Sequence, residues 1–401
     1  MAPTVQPPGR IHVLEIIGNA IVGGMENSVQ RLIERLPPDR FEVSVLCPFE
    51  SPYTDRLRAL GAEVDITPIH DDAPWSSIQF ACALAKSKSV DIFHSHLQNA
   101  HVLAGLAGRL SGKPVLATVH GRQLSSLDLE VHRTAGTHLH VVCKQSYFHA
   151  LGVGANPGQV HLVTNGVDTD VFKPAVRTMA GLLRQRFGIP AQAPVIGFVG
   201  RLSPEKGPDV FLRMALGVRQ AHPEAHFLVV GDGPMRSQLK GFIELFDLSA
   251  RVHLAGMQTD MPSVMGELDI FVSSSHSEAM PLALMEAMAS GLPVIATRVG
   301  GVPDLLQHDV TGWLAHPGDY EGLASRAVDM LQDDSLRLTT GTNGRQRAVD
   351  CLSLSKSIDA TMALLTRLVN PIADPRRIGT IASNGKLVNG MTASNGKAAL
   401  S

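Results

Sequence analysis

The stretch IFVSSSHSEAMPLALMEAMASGLPVIAT, residues 270–297, holds two apolar runs separated by a polar loop and a helical segment. Ile270–Ser273 and Val294–Thr297 are short and rich in β-branched residues, the pattern of strands buried on both faces. Between them Pro281 suits the first helical position, where its missing N–H has no partner to lose. Gly291 suits the stop of a helix over Pro281–Ala289. Two such strands joined by a helix need a crossover, and so pair in parallel.

The same alternation extends outward from this unit. In the second half, strands are expected at Val195–Val199, His226–Val230 and Val252–Leu254, with helices at Pro208–His222 and Met235–Phe246. The first half opens with Ile11–Ile17, a glycine loop Gly18–Gly24, and a helix from about Glu26 to Leu36 that stops at Pro37-Pro38. Strands follow at Glu42–Cys47, Glu63–Thr67, Asp91–Ser95, Pro114–Val119, His138–Val142 and Gln159–Val163, again with helices between them. A break near Asp168–Arg177 separates the two series. The expected architecture is α/β: two doubly wound parallel-sheet domains facing each other across a cleft. The first spans 11–175 and the second 176–350. A helix over 351–370 closes the fold, back onto the first domain, while 1–10 is a flexible N-terminus and 371–401 a disordered tail. In that tail ASNGK occurs twice, at Ala382–Lys386 and Ala393–Lys397.

Composition excludes several classes of function. With 401 residues, 35 Lys and Arg against 37 Asp and Glu, and no basic run, the chain carries no electrostatic footprint for nucleic acid. Cys47, Cys82, Cys143 and Cys351 form no CxxC pair, which argues against a disulfide scaffold or a Cys-based zinc site and suits a reducing compartment. No apolar stretch approaches the roughly 18 residues of a membrane span. The proline-rich start MAPTVQPPGR lacks the apolar core of a secretion signal, and a cytoplasmic protein is expected.

Ligands of open α/β sheets bind beyond the carboxyl ends of the strands, so the loops there hold the candidate residues. Val195–Val199 leads into Gly200-Arg201-Leu202-Ser203-Pro204-Glu205-Lys206-Gly207. Arg201 and Lys206 form either an anion site, one cation a fork and the other a mobile point charge, or a solvated surface pair. After Ile270–Ser273, Glu278 and Glu286 stand with seven residues between them. The amides of Leu282, Ala283 and Leu284 would point out of the helix start towards an anion. Glu286 alone could be a salt-bridging residue of an ordinary helix, but that does not explain Glu278 on a loop of Ser, Met and Pro.

The stretch Glu278–Val294 resembles the signature of retaining family 4 glycosyltransferases (glycosyltransferase group 1) of the GT-B fold, in which two glutamates are spaced by seven residues. Gly23-Gly24, His120-Gly121, Asn165-Gly166-Val167-Asp168, Gly200–Gly207, Gly231-Asp232-Gly233-Pro234 and Gly300-Gly301 agree in order and spacing, over about residues 10–370. The resemblance implies two facing Rossmann-like domains. It also implies transfer of a hexose-type sugar from a UDP- or GDP-sugar to an acceptor hydroxyl, in cell-surface polysaccharide, glycolipid or small-glycoside synthesis.

Carried onto this chain, the resemblance puts Arg201 and Lys206 at the donor diphosphate, Glu286 at the ribose and Glu278 at the donor sugar. His120 would lie beside that sugar and the acceptor, and His120, Glu278, Arg201 and Lys206 would carry catalysis. Gly23 and Gly24 would let the first-domain loop approach the diphosphate. Met280, Pro281, Leu282 and Ala283 would complete the donor site, with the base against Met257 and Gln258. His96 and Asn165 are the acceptor-side candidates. The acceptor would be a sugar, a lipid-linked molecule or a small molecule, and a lipid-linked one would bring peripheral contact with the inner face of the membrane. Met280-Pro281 stands where many members have Phe-Gly, and Pro281 offers no N–H to a phosphate.

No cofactor and no essential metal are expected. Gly18–Gly23 is not a GxGxxG dinucleotide fingerprint, and no Asp-x-Asp clamp follows a strand. His94 and His96 share a face at a strand end, but the sequence shows no third metal ligand beside them, and His94 reads as a structural hydrogen-bonder. Asp304 either lines the sugar site or caps the next helix, and Cys47 and Cys143 read as core thiols. The rival readings are a GT-B-like nucleotide-sugar epimerase or phosphorylase, and a catalytically inactive GT-B-fold binding protein.

Overall fold

Apolar runs of three to seven residues become the strands of two sheets in the computed structural model, which describes residues 9–174 and 181–371. The first eight residues of the expected N-terminal segment, the expected domain boundary at 175/176 and the tail over 372–401 lie outside the described residues. The first sheet contains β1 Ile11–Ile17, β2 Phe41–Cys47, β3 Glu63–Ile66, β4 Ile92–His96, β5 Val115–Val119, β6 His138–Val141 and β7 Val160–Leu162. The second contains β8 Val195–Val199, β9 His226–Val230, β10 Val252–Gly256, β11 Ile270–Ser273, β12 Val294–Thr297 and β13 Trp313–Ala315.

The strand orders are β3-β2-β1-β4-β5-β6-β7 and β10-β9-β8-β11-β12-β13. Every pairing of named strands is parallel. Each sheet thus begins at an inner strand, winds to one edge, then restarts beside its first strand and winds to the other. That reversal opens a crevice between β1 and β4 in one sheet and between β8 and β11 in the other. The loops carrying Gly23-Gly24, Arg201–Lys206 and Glu278 leave the carboxyl ends of β1, β8 and β11, so the topology itself gathers them. Helices cover both faces of the second sheet. One core cluster contains Phe271, Met285 and Met288, the other Phe211, Phe227 and Met330.

Element ends agree with the sequence reading to within a few residues, and two details are corrected. The helix expected from Pro281 starts at Leu282. Pro281 keeps an extended ψ of 114°, and its carbonyl accepts from the Met285 N–H at 3.3 Å, so it is the half-in residue before the first turn. Asp304 does not cap the next helix. It sits within Val302–Leu305 and accepts the N–H of Lys144 at 2.9 Å, at the start of the helix Lys144–Gly152 in the other domain.

The helix Leu354–Val369 returns to the first domain. Its Leu354, Ile358, Leu364 and Leu365 pack with Ile11, Val13, Leu32 and Phe41. The returning chain is laced to the outgoing one, with Val167 N–H donating to Leu352 O and Leu354 N–H to Val167 O, both at 2.8 Å. Gly166 makes this crossing possible, because a Cβ there would come 2.5 Å from Leu354 Cα. Among the described residues no helix is long and apolar enough to cross a membrane.

Candidate active site

After β8 a single helical turn, Pro204–Lys206, presents Lys206, and Gly207 ends it at φ +60°. A Cβ on Gly207 would lie 2.3 Å from Ser274 O, so only glycine lets this turn press against the loop after β11. That contact delivers Lys206 to Glu278: Nζ stands 2.8 Å from Oε1 and 2.7 Å from Oε2. Glu278 is 7% exposed, and its Oε1 also accepts from Ser275 Oγ at 2.7 Å. The loop is pinned at its start by His276 and Ser277 N–H donating to Glu205 O, and further on by Gly301 N–H donating to Ala279 O. The result is a buried carboxylate chelating one ammonium, with the open amides of the Leu282–Ala289 helix just beyond it. Arg201, from the same loop as Lys206, is exposed, and its side chain makes no ion pair among the described residues.

Glu286 lies on the buried face of that helix. Its partner comes from the first domain: Arg31, on the helix Gly24–Arg35, donates from Nη2 to Oε1 at 3.1 Å. Burial pushes the Glu286 carboxyl above the usual carboxylate range, and the Arg31 charge offsets only part of that. Gly23 and Gly24 open the Arg31 helix, and a Cβ on Gly24 would touch Leu282 Cδ1 at 3.8 Å, so the two helix starts meet across the cleft. Arg122, from the loop after β5, lies over Gly300, its Cδ 3.3 Å from where a Cβ would be.

The other candidates are placed as follows. His120 follows β5, half-buried, with Nε2 2.9 Å from His96 Nδ1. His96 is buried, and it lines a pocket with Asn165 and His120 beneath the returning helix. Met257 is 70% exposed after β10, whereas Gln258 turns back to donate to Ala255 O at 2.9 Å. Met280 is buried in the second-domain core. Thus Lys206 meets Glu278 and His96 meets His120, while Arg201 and Met257 remain on open loop surface.

Sequence reasoning missed Arg31, Arg122 and Glu15. Arg31 and Arg122 reach residues of the other domain, and no local pattern marks them. Glu15 was visible as the one carboxylate inside IHVLEII. It corrects the expectation that His94 and His96 lack a third potential ligand, since the ligand atoms of Glu15, His94 and His96 lie within 4.8 Å of one another. Those atoms are hydrogen-bonded to one another and to Thr118 and His120.

The buried histidines make stability depend on pH. Burial, reinforced by neighbouring imidazoles, lowers His96 to about 4 and His140 to about 3. In the unfolded chain both titrate near 6.5. As pH falls below that value the unfolded state binds protons that the folded state refuses, so stability drops. At pH 5 each histidine is expected to cost about 2 kcal/mol relative to pH 8. Glu15, held at about 2, adds stability that is lost only below about 4.5, outside this window. Urea unfolding at pH 8 and pH 5 checks the result; coincident midpoints would contradict it.

Comparison with known proteins agrees with this geometry. A family model described as glycosyl transferases group 1 matches residues 181–347, and one described as glycosyltransferase family 4 matches residues 22–171. The chain is 28% identical to the UDP-Gal:alpha-D-GlcNAc-diphosphoundecaprenol alpha-1,3-galactosyltransferase of Escherichia coli, across 87% of this chain and 95% of that one. It is 31% identical to the D-inositol 3-phosphate glycosyltransferase of Mycobacterium tuberculosis (strain ATCC 25177 / H37Ra), across 74% of this chain and 67% of that one. The crystal structure of Anabaena Alr3699/HepE in complex with UDP-glucose superposes with a TM-score of 0.79 at 22% identity, covering 89% of this chain and 100% of that one, which shows a shared fold. The chain is therefore an enzyme of the family 4, group 1 glycosyltransferases, built on the GT-B fold.

Proposed function

We propose that this glycosyltransferase moves a hexose-type sugar, with retention of configuration, from a nucleoside diphosphate to an acceptor hydroxyl in the synthesis of a cell-surface polysaccharide, glycolipid or small glycoside. The observation that carries the reading is the Lys206–Glu278 ion pair, its carboxylate buried and its ammonium half-buried, at the carboxyl end of the second sheet beside an open helix start. As the bond from the anomeric carbon to the diphosphate breaks, the sugar gains positive charge and the phosphate negative charge. Arg201, Lys206 and the amides of Leu282 and Ala283 would meet the phosphate charge. Glu278 would hold Lys206 in place and accept from hydroxyls of the sugar. The acceptor oxygen would bond to the anomeric carbon on the face the phosphate leaves, its proton passing to a phosphate oxygen. That route retains configuration without a covalent nucleophile or a metal ion.

Glu286 would bind the ribose hydroxyls in exchange for Arg31, and Met257 and Gln258 would flank the base. His120 would stand beside the transferred sugar, with Asn165 and His96 on the acceptor side. A uridine nucleotide is favoured over guanosine: the galactosyltransferase above is named for UDP-Gal, and the superposed structure holds UDP-glucose. That relative is also named for a lipid-diphosphate acceptor, which favours lipid-linked acceptors as the first to try. Four free cysteines support a reducing, cytoplasmic setting.

Two experiments test the reading. Calorimetric titration with UDP is expected to show affinity falling about a hundredfold in the Arg201→Ala, Lys206→Ala double variant, the loss of two charge-assisted contacts. Undiminished affinity would remove both residues from the donor site. A panel of UDP- and GDP-sugars in EDTA, with and without lipid and sugar acceptors, is expected to give acceptor-dependent nucleotide release and a product of unchanged anomeric configuration. Acceptor-independent turnover, an inverted product or a strict metal requirement would contradict the proposal.

A further inference from the structure

The first domain buries a polar chain that the donor site does not use. Glu15 on β1, His94 and His96 on β4, Thr118 on β5 and His140 on β6 are each at most 7% exposed. Their alternation along adjacent strands puts them on one face of the sheet. The contacts run without a gap. Val163 O to His140 Nε2 is 2.9 Å, His140 Nδ1 to Thr118 Oγ1 is 2.9 Å, and Thr118 Oγ1 to His94 Nε2 is 2.8 Å. His94 Nδ1 to Glu15 Oε1 is 3.0 Å, Glu15 Oε2 to His96 Nε2 is 2.8 Å, and His96 Nδ1 to His120 Nε2 is 2.9 Å.

Counting protons gives this chain a direction. A carbonyl only accepts, so His140 donates from Nε2 to Val163 O, and the Nδ1 of that neutral ring accepts from the Thr118 hydroxyl. The hydroxyl has then used its one proton and must accept from His94 Nε2–H. One further proton lies between His94 Nδ1 and Glu15 Oε1, so that oxygen is committed to His94. Glu15 Oε2 is left to accept from His96 Nε2–H, and the bare His96 Nδ1 accepts from His120 Nε2–H. His120 Nδ1 is thereby left with its lone pair and makes no hydrogen bond among the described residues. Burial alone would raise the Glu15 carboxyl, but the charges and hydrogen bonds of His94 and His96 bring it down to about 2. It therefore holds no proton with which to reverse the chain.

We propose that Glu15, acting through His96, is a positioning residue that locks His120 as a hydrogen-bond acceptor at Nδ1, so that the ring recognises only a hydroxyl that donates to it. The inference rests on the reading that places His120 beside the transferred sugar and the acceptor. A buried chain in which every group is satisfied holds its members in one arrangement. His120 is therefore oriented before any ligand arrives.

The test uses the full-length protein labelled with 15N at histidine, with His120 assigned by the signals lost in His120→Gln. Long-range 1H–15N spectra of the wild type are expected to show His120 protonated at Nε2 and bare at Nδ1. In Glu15→Leu the acceptor for His96 Nε2–H is gone. His96 and His120 are then expected to lose their single tautomer, the His120 Nδ1 and Nε2 signals moving towards each other, with kcat lowered about thirtyfold and the donor KM within about threefold. Glu15→Gln is the conservative rescue: its NH2 donates to His94 Nδ1 and its oxygen accepts from His96 Nε2–H, so the wild-type tautomers are expected to return. Lost packing alone would not move a tautomer. Wild-type His120 protonated at Nδ1, or unchanged His120 signals in Glu15→Leu, overturns the inference; should the variant not fold, the wild-type spectrum decides. Averaged tautomers with unaltered kcat leave the relay standing and overturn the placement of His120 at the reacting groups.

Discussion

Glu278→Gln is expected to lower kcat about a thousandfold while changing UDP affinity by no more than a few-fold. The substitution keeps the side chain's size and its ability to accept from Ser275, which donates to Oε1 at 2.7 Å. It removes the negative charge and puts an amide N–H where Lys206 Nζ now finds a second oxygen at 2.7 Å. Lys206 keeps one contact and stays available to a diphosphate, so nucleotide binding survives. On the proposed placement of the donor sugar, what is lost is a fixed carboxylate beside a sugar that becomes positive only as the bond breaks, an interaction made chiefly in the transition state. Steady-state kinetics with parallel UDP calorimetry separates the outcomes. Unchanged turnover would exclude Glu278 from the chemistry, and joint collapse of binding and turnover would point to a displaced loop instead.

Gly300→Ala is expected to destabilise the protein by about 3 kcal/mol or more and to abolish activity. Gly300 has φ +55°, and a Cβ there would sit 1.5 Å from Glu278 O and 2.6 Å from Glu278 C. Neither atom belongs to a flexible side chain, so the backbone carrying the catalytic candidate would have to move. For a domain of this size the loss corresponds to a Tm lowered by about 6–12 °C. Gly318→Ala is the control: φ is +82°, but nothing lies within 4 Å of the added carbon. It should cost only the left-handed backbone strain, about 1 kcal/mol, with full activity. Equal melting temperatures for the two variants would show that the Glu278 loop yields freely.

The loops of the second domain were legible because their chemistry is local. Gly200–Gly207 and Glu278–Gly291 each follow a strand and open a helix, and the glycines, the proline and the charges sit within one stretch of chain. The parallel, doubly wound character of both sheets was also accessible, since apolar strands alternating with helices leave few ways to wind. What could not be read depends on residues far apart in sequence. Glu15 meets His94 because β1 lies beside β4, and Thr118 reaches both His94 and His140 because β5 lies between β4 and β6. Arg31 finds Glu286 only once the two domains face each other, 255 positions apart along the chain. Asp304 was readable as a capping residue, but the helix it caps belongs to the other domain. Pro281 sits one position before its expected place, because φ near −65° suits both the first helical residue and the one before it.

The laced crossing at Val167 and Leu352–Leu354 sets what kind of motion the molecule has. Two polypeptide spans join the halves, and mutual backbone bonds hold them side by side. A single tether would let one half swivel freely; a bound pair behaves like a strap hinge, free to bend and stiff against torsion. Any opening that admits or releases a nucleotide then follows one arc, which returns Arg31 to Glu286 and Asp304 to Lys144 in register at each closure.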